Sequence, residues 1–347
     1  MDPRTKTKGN LLLLLTALIW GSAFVAQSSA ADVVETFTYN MSRSVLGALV
    51  LLPVIYITGR NRLIRQNSLP QAVSNMSEDA PAGSDGSAIR AEQTSHGAGG
   101  KSGASLAVSG SCSFWDIMRP NRTPLIGGIC CGIMLATASG FQQAGIALTT
   151  AGKAGFITAL YIIMVPVVYM FLGKKVAPVI WLCVVLAITG FYLLCVNEGF
   201  SISKGDILVL ICAICFTGHI LVIDHFSALD TDPVKMSCIQ FTTAAVVSGI
   251  VMLLFEHPTW DAIWAARIPI FYAGVFSSGI AYTLQIVGQR YTDPTTATLL
   301  MSLESVFAAL AGWLILHETF SLKEFIGCVL VFTAVILAQI PLPSKHR

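Results

Sequence analysis

Long apolar runs alternate with short polar breaks along nearly the whole chain. They recur at about residues 10–30, 35–57, 124–148, 151–172, 177–196, 206–225, 234–255, 268–288, 294–316 and 322–341. A helix rises about 1.5 Å per residue and a bilayer core is about 30 Å thick, so roughly 20 residues span it. The pattern therefore predicts ten transmembrane helices. Pro178, Pro233, Pro269 and Pro294 lie near predicted helix starts, where a missing N–H costs little. The opening MDPRTKTKGNLLLLLTALIW has a signal peptide's order of charge and apolarity, but its apolar run continues through Ala31 without a convincing cleavage site. It reads as the first transmembrane helix. One stretch breaks the rhythm. Residues 61–121 are rich in Ser, Gly and Ala with few large apolar residues, which predicts a disordered insertion that tolerates truncation.

Composition agrees with this reading. Hydrophobic residues make up 54% of the 347, charged residues 12%, and the mean hydropathy is +0.71, against about 25% charged in an ordinary soluble domain. The fold class is an all-α polytopic membrane protein whose constant partner is the lipid bilayer. A net charge of +2 with no basic cluster interleaved with aromatics argues against a nucleic-acid partner. Placing the N-terminus in the cytoplasm puts sixteen of the 21 Lys and Arg on the inner side, four outside and Arg43 within the second span. That asymmetry predicts a multi-pass protein of the cell membrane with both termini cytoplasmic. Eight of the nine cysteines fall in or beside apolar spans and read as small packing residues. Cys212, Cys215 and His219 share a helical face but lack a fourth ligand, so neither a metal nor a cofactor is expected. There is no GxxxxGK[ST] loop for ATP.

The two halves, 1–196 and 205–341, overlay as five helices each. The segment FQQAGIALTTAGKAGFITALYIIMVPVVYMFLG resembles LQIVGQRYTDPTTATLLMSLESVFAALAGWLILHE, with Ala154 aligned on Ala297. Because the helix count per half is odd, the repeats are inverted, an architecture of secondary transporters with the site at the repeat interface.

Within this frame a few polar residues lie at membrane depth. Glu304 sits near the middle of its span, where an ionised carboxylate costs at least ~2.5 kcal/mol unless it faces water, a partner or is protonated. It is either a substrate or gating group or a structural acid hydrogen-bonded between helices. Arg43 needs a carboxylate, a carbonyl or an anionic substrate. Glu304 and Glu35 are candidate partners, and snorkelling is the alternative. His219 suits proton coupling or an interhelical hydrogen bond. Tyr282 and Gln285 form part of a polar stripe on the eighth helix, with Gln142 on the third and Gln240 on the seventh. These line a cavity or join helices. Trp20 walls a cavity or packs at an interface. Pro166 frees the carbonyl of Ile162, which gives a cavity-facing kink or a static one.

The chain resembles the EamA-type family of the drug/metabolite transporter superfamily, over nearly its whole length except the insertion. The carriers are Ile19-Trp20-Gly21-Ser22, Arg43, AGKAGFITALYIIMVP, Gly205-Asp206 and SLESVFAALAGWLILHE. Ser305 stands where the family usually has proline after the acid. The resemblance implies a permease that moves a small polar metabolite, often outward. With the residues it suggests an exporter of amino-acid-like compounds working by alternating access, with a coupling proton and no enzymatic step. The alternative is a membrane-embedded enzyme acting on a lipid-linked substrate, for which Asp224, His225, Asp230 and Asp232 are the available groups. The Gly128 to Gly132 GxxxG permits a homodimer or an internal contact.

Overall fold

A computed structural model of the protein describes residues 3–78, 121–148, 151–195, 203–229, 231–315 and 321–339. Helices α1 (Pro3–Ala31) and α2 (Thr36–Glu78) are followed by α3 (Arg122–Ile146), α4 (Ala151–Thr158), α5 (Tyr161–Phe171) and α6 (Pro178–Cys195). Next come α7 (Lys204–Ser227), α8 (Pro233–Phe255), α9 (Trp260–Ala265) and α10 (Arg267–Tyr272). A π-helical stretch, Ala273–Ala281, joins α10 to α11 (Tyr282–Gln289), and α12 (Pro294–Met301), α13 (Glu304–Ile315) and α14 (Leu322–Gln339) follow. Among the described residues, six helices are long and apolar enough to cross a membrane: Arg4–Ala31, Thr36–Asn61, Arg122–Ile146, Lys204–Ser227, Pro233–Phe255 and Arg267–Gln289. The chain is an all-helical, multi-pass membrane protein.

Two of the predicted spans are interrupted. Residues 151–172 form α4 and α5 with a break at Ala159-Leu160, and residues 294–316 form α12 and α13 with a break at Ser302-Leu303. At both breaks the backbone tightens to i→i−3 hydrogen bonds, from Leu160 N to Ile157 O at 3.1 Å and from Leu303 N to Leu300 O at 3.3 Å. Near the second, the hydroxyls of Thr298 and Ser302 bond their own i−3 carbonyls and compete with the helical ladder. The break forms with Ser305, not proline, after the acid. The insertion also begins later than its composition predicts. The run from Asn61 to Glu78 contains no glycine and several good helix formers, and α2 continues to Glu78. The rest of the predicted insertion, 79–120, lies outside the described residues.

By internal contacts Met1–Val54 and Pro120–Arg347 form one compact unit and Ile55–Arg119 another. In the first, α3 packs along α7 and α8, α6 along α14, and α1 along α11 and α13. A core of Ile162, Val165, Phe191, Leu299 and Val331 fills the space between the broken helices and the α6–α14 pair. The outward faces carry large apolar side chains, such as Phe171 at 84% and Leu253 at 74% exposure, as lipid contact requires. Glycine sets the closest approaches. A Cβ on Gly132 would lie 2.5 Å from Thr243 Cβ and 2.6 Å from Gln240 O on α8, whereas one on Gly155 would meet nothing nearer than 3.9 Å. Gly132→Val should therefore destabilise the protein by about 1–3 kcal/mol through overpacking, while Gly155→Ala stays close to wild type. Thermal unfolding in detergent micelles checks this, and equal midpoints for the two variants would contradict the α3–α8 contact.

Candidate functional site

The interrupted helices bring chemistry to the centre of the compact unit. Glu304 opens α13, in the first turn, where the positive end of the helix dipole favours an acid. Tyr161 opens α5, and its hydroxyl donates to Glu304 Oε1 at 3.4 Å. Both residues are buried. The two are 143 residues apart, the separation also found between the first residues and between the last residues of α4 and α12.

A cavity of about 50 Å³ opens beside this pair. Seven of the residues singled out in the sequence line it: Glu304, Arg43, Trp20, His219, Tyr282, Gln285 and Gln142. Gln240 stands one layer behind, its Oε1 3.0 Å from His219 Nε2, a contact between α8 and α7. Pro166 is buried within α5 and does not belong to the lining, which leaves the static of its two readings; the break at Ala159-Leu160, nearly two turns earlier, lies between the lining residues Thr158 and Tyr161. The lining also contains residues that polarity alone did not mark, among them Tyr161, Phe216 and Ser277. For Tyr161 a signal existed: the register aligning Ala154 with Ala297 also aligns Tyr161 with Glu304.

Aromatic rings form one wall. Trp20 and Tyr282 have ring centroids 4.6 Å apart, and His219 meets Tyr282 edge-on at 5.9 Å. Trp20 Nε1, His219 Nδ1 and Gln285 Oε1 are buried without a hydrogen-bond partner, although such groups ordinarily find one. The charged residues are held apart. Arg43 donates to Ser139 Oγ at 2.9 Å and lies 5.6 Å over the Tyr39 ring. Its ion pair with Glu304 or Glu35 does not form: Glu304 takes Tyr161, and Glu35 accepts from His257 N at 3.0 Å. On one rim Gln27 Nε2 donates to Gln142 Oε1 at 3.4 Å, an amide contact between α1 and α3. Among the described residues no group of three His, Cys, Asp or Glu stands ready for a metal.

A model of the EamA-like transporter family matches residues 7–73 and 203–339. The chain belongs to the EamA-like transporter family. This family lies within the drug/metabolite transporter superfamily. An uncharacterized transporter of Archaeoglobus fulgidus is 26% identical over 332 residues, 95% of this chain and 85% of its own length. A WAT1-related protein of Arabidopsis thaliana is 29% identical over 138 residues, 38% of this chain and 36% of that one. A solved crystal structure has the same fold at a TM-score of 0.67, with 15% identity and 96% of each chain covered. The matched EamA segments include Trp20, Arg43, His219, Gln240, Tyr282, Gln285 and Glu304 but not Gln142, Tyr161 or Pro166.

The His219–Gln240 contact has a measurable cost. Gln240→Leu leaves the buried imidazole Nε2 without its partner and should lower stability by about 1–3 kcal/mol. Chemical denaturation in micelles reads this directly, and an unchanged midpoint would show that the contact contributes nothing.

Proposed function

We propose that the protein is a secondary transporter that exports a small, polar, amino-acid-like metabolite across the cell membrane by alternating access. The observation that carries this reading is the pair of buried opposite charges, Glu304 and Arg43, which line one cavity without neutralising each other. A zwitterion satisfies both, with its ammonium on Glu304 and its carboxylate on the planar fork of Arg43. The rings of Trp20 and Tyr282 then face its apolar part. Protonation of Glu304 supplies the coupling step.

The cavity's size supports a conformational cycle. A volume of about 50 Å³ admits a few waters at roughly 10–15 Å³ each, far less than the ~300–1,000 Å³ of ligand sites. The helices must part to load a metabolite. The matched breaks of α4–α5 and α12–α13 support ten spans arranged as two inverted repeats, 1–196 and 205–341, with Tyr161 and Glu304 as counterparts. The packing supports it too: α7 meets α3 and α4 as α1 meets α11 and α12, and α6 meets α14. The excess of Lys and Arg supports cytoplasmic termini.

Metabolite profiling tests the proposal. Medium and cytoplasm are compared for cells expressing the wild type, Glu304→Gln, Arg43→Gln or empty vector at matched membrane levels. One class of compounds should accumulate in the medium with the wild type and fall at least about tenfold with either variant. A wild type indistinguishable from the vector in both compartments would sink the exporter assignment.

A further inference from the structure

The compact unit contains a second hollow, a cleft of about 930 Å³, lined by parts of α1, α5, α7, α11, α12 and α14. Among apolar and neutral polar residues its lining carries four cations, Lys6, Lys174, Lys175 and Arg290, against two carboxylates. Its two carboxylates are both engaged. Asp224 accepts a short hydrogen bond from Tyr169 Oη and an ion pair from Lys174 at 3.7 Å, while Asp293 caps α12 through Thr296 N at 3.1 Å. Two polar atoms that are more than nine-tenths buried, Ser227 Oγ and Gln289 Oε1, belong to cleft-lining residues and have no partner.

The cleft and the central cavity share helices. On α7 the cavity is lined by Ile220 and the cleft by Asp224. On α11 the corresponding residues are Gln285 and Gln289, and on α12 and its end, Met301 and Thr296. Spacings of four to five residues at about 1.5 Å each leave a partition of about 6–8 Å, one turn of helix. Across it runs the hydrogen bond from Gln289 Nε2 to Ile220 O at 3.3 Å.

We infer that the cleft is the loading vestibule for a carboxylate-bearing metabolite and that the turn around Gln289 and Ile220 is the gate between it and the central cavity. This rests on the transporter reading of that cavity. The cationic wall raises the local concentration of an anionic group at the mouth. The unpartnered Ser227 and Gln289 atoms offer a landing site next to the gate. Opening breaks the Gln289–Ile220 hydrogen bond and displaces about one turn, while the Gln27–Gln142 contact joins α1 and α3 elsewhere in the cavity lining.

Accessibility in membrane vesicles of both orientations tests this without knowledge of the substrate. Ser227→Cys reports on the cleft and Ser277→Cys on the cavity. Each is exposed to a membrane-impermeant methanethiosulfonate, and modification is read by peptide mass spectrometry at that position. Ser227→Cys should react from one face only. Ser277→Cys should react from the same face, and about tenfold faster once Gln289→Ala is added. A mixture of the common amino acids at millimolar concentration should slow modification of Ser227→Cys, whereas the corresponding amines, which lack the carboxylate, should not. Modification of Ser277→Cys only from the opposite face, a rate unmoved by Gln289→Ala, or equal protection by the amines would overturn the inference. A Ser277→Cys that reacts from neither face in any background would instead remove the central cavity from a transport path, and the transporter reading of that cavity would fall with it.

Discussion

A carboxylate at membrane depth is the constraint around which this protein is built. Removing Glu304 from water is costly, and no cation compensates it. What stands beside it is a tyrosine hydroxyl and the freshly started turn of α13. The hydroxyl donates a hydrogen bond and the positive end of the helix dipole favours an acid, and neither is an ion pair. The break at Ser302-Leu303 turns the middle of an apolar span into a helix start, and the acid occupies that start.

The opposite charge obeys the same logic. Arg43 is kept in place by a neutral serine hydroxyl and an aromatic face rather than by an acid. Two oppositely charged groups that share a cavity yet remain unpaired store an electrostatic demand that a ligand can meet. Pairing them directly would have stabilised the empty protein and removed the incentive to bind. The aromatic wall and the unpartnered polar atoms of Trp20, His219 and Gln285 extend that demand around the cavity.

Firm packing and thin partitions coexist in the same helices. Where α3 meets α8, and where α1 passes α13 at Gly21, backbones approach so closely that a methyl group would clash. Small residues at these crossings let the helices pack backbone to backbone. Between the central cavity and the basic cleft, by contrast, about one helical turn intervenes, crossed by the Gln289–Ile220 amide contact. A transporter needs both properties: elements stiff enough to move as bodies and a barrier thin enough to be opened by a modest rearrangement.

Much of this was legible in the chain itself. Hydrocarbon tolerates backbone only where its polar groups are paired, as in a helix or a closed barrel, and an apolar run of about 20 residues has the length of a spanning helix. The cost of burying charge and amide groups marked Glu304, Arg43, His219 and the glutamines as residues in need of a reason. Seven of the nine candidates line a single cavity, and Gln240 supports it from behind. These are properties of single residues and their neighbours in sequence. The tertiary structure alone decided who partners whom. The pairing of Arg43 with an acid did not form, Pro166 lies outside the cavity lining, and Tyr161, unremarkable by polarity, became the partner of Glu304. Apolar length and burial cost are local quantities summed along one segment, whereas a hydrogen bond between helices depends on the rotation and height of each about its own axis. Those are set by the packing of every helix against all its neighbours at once.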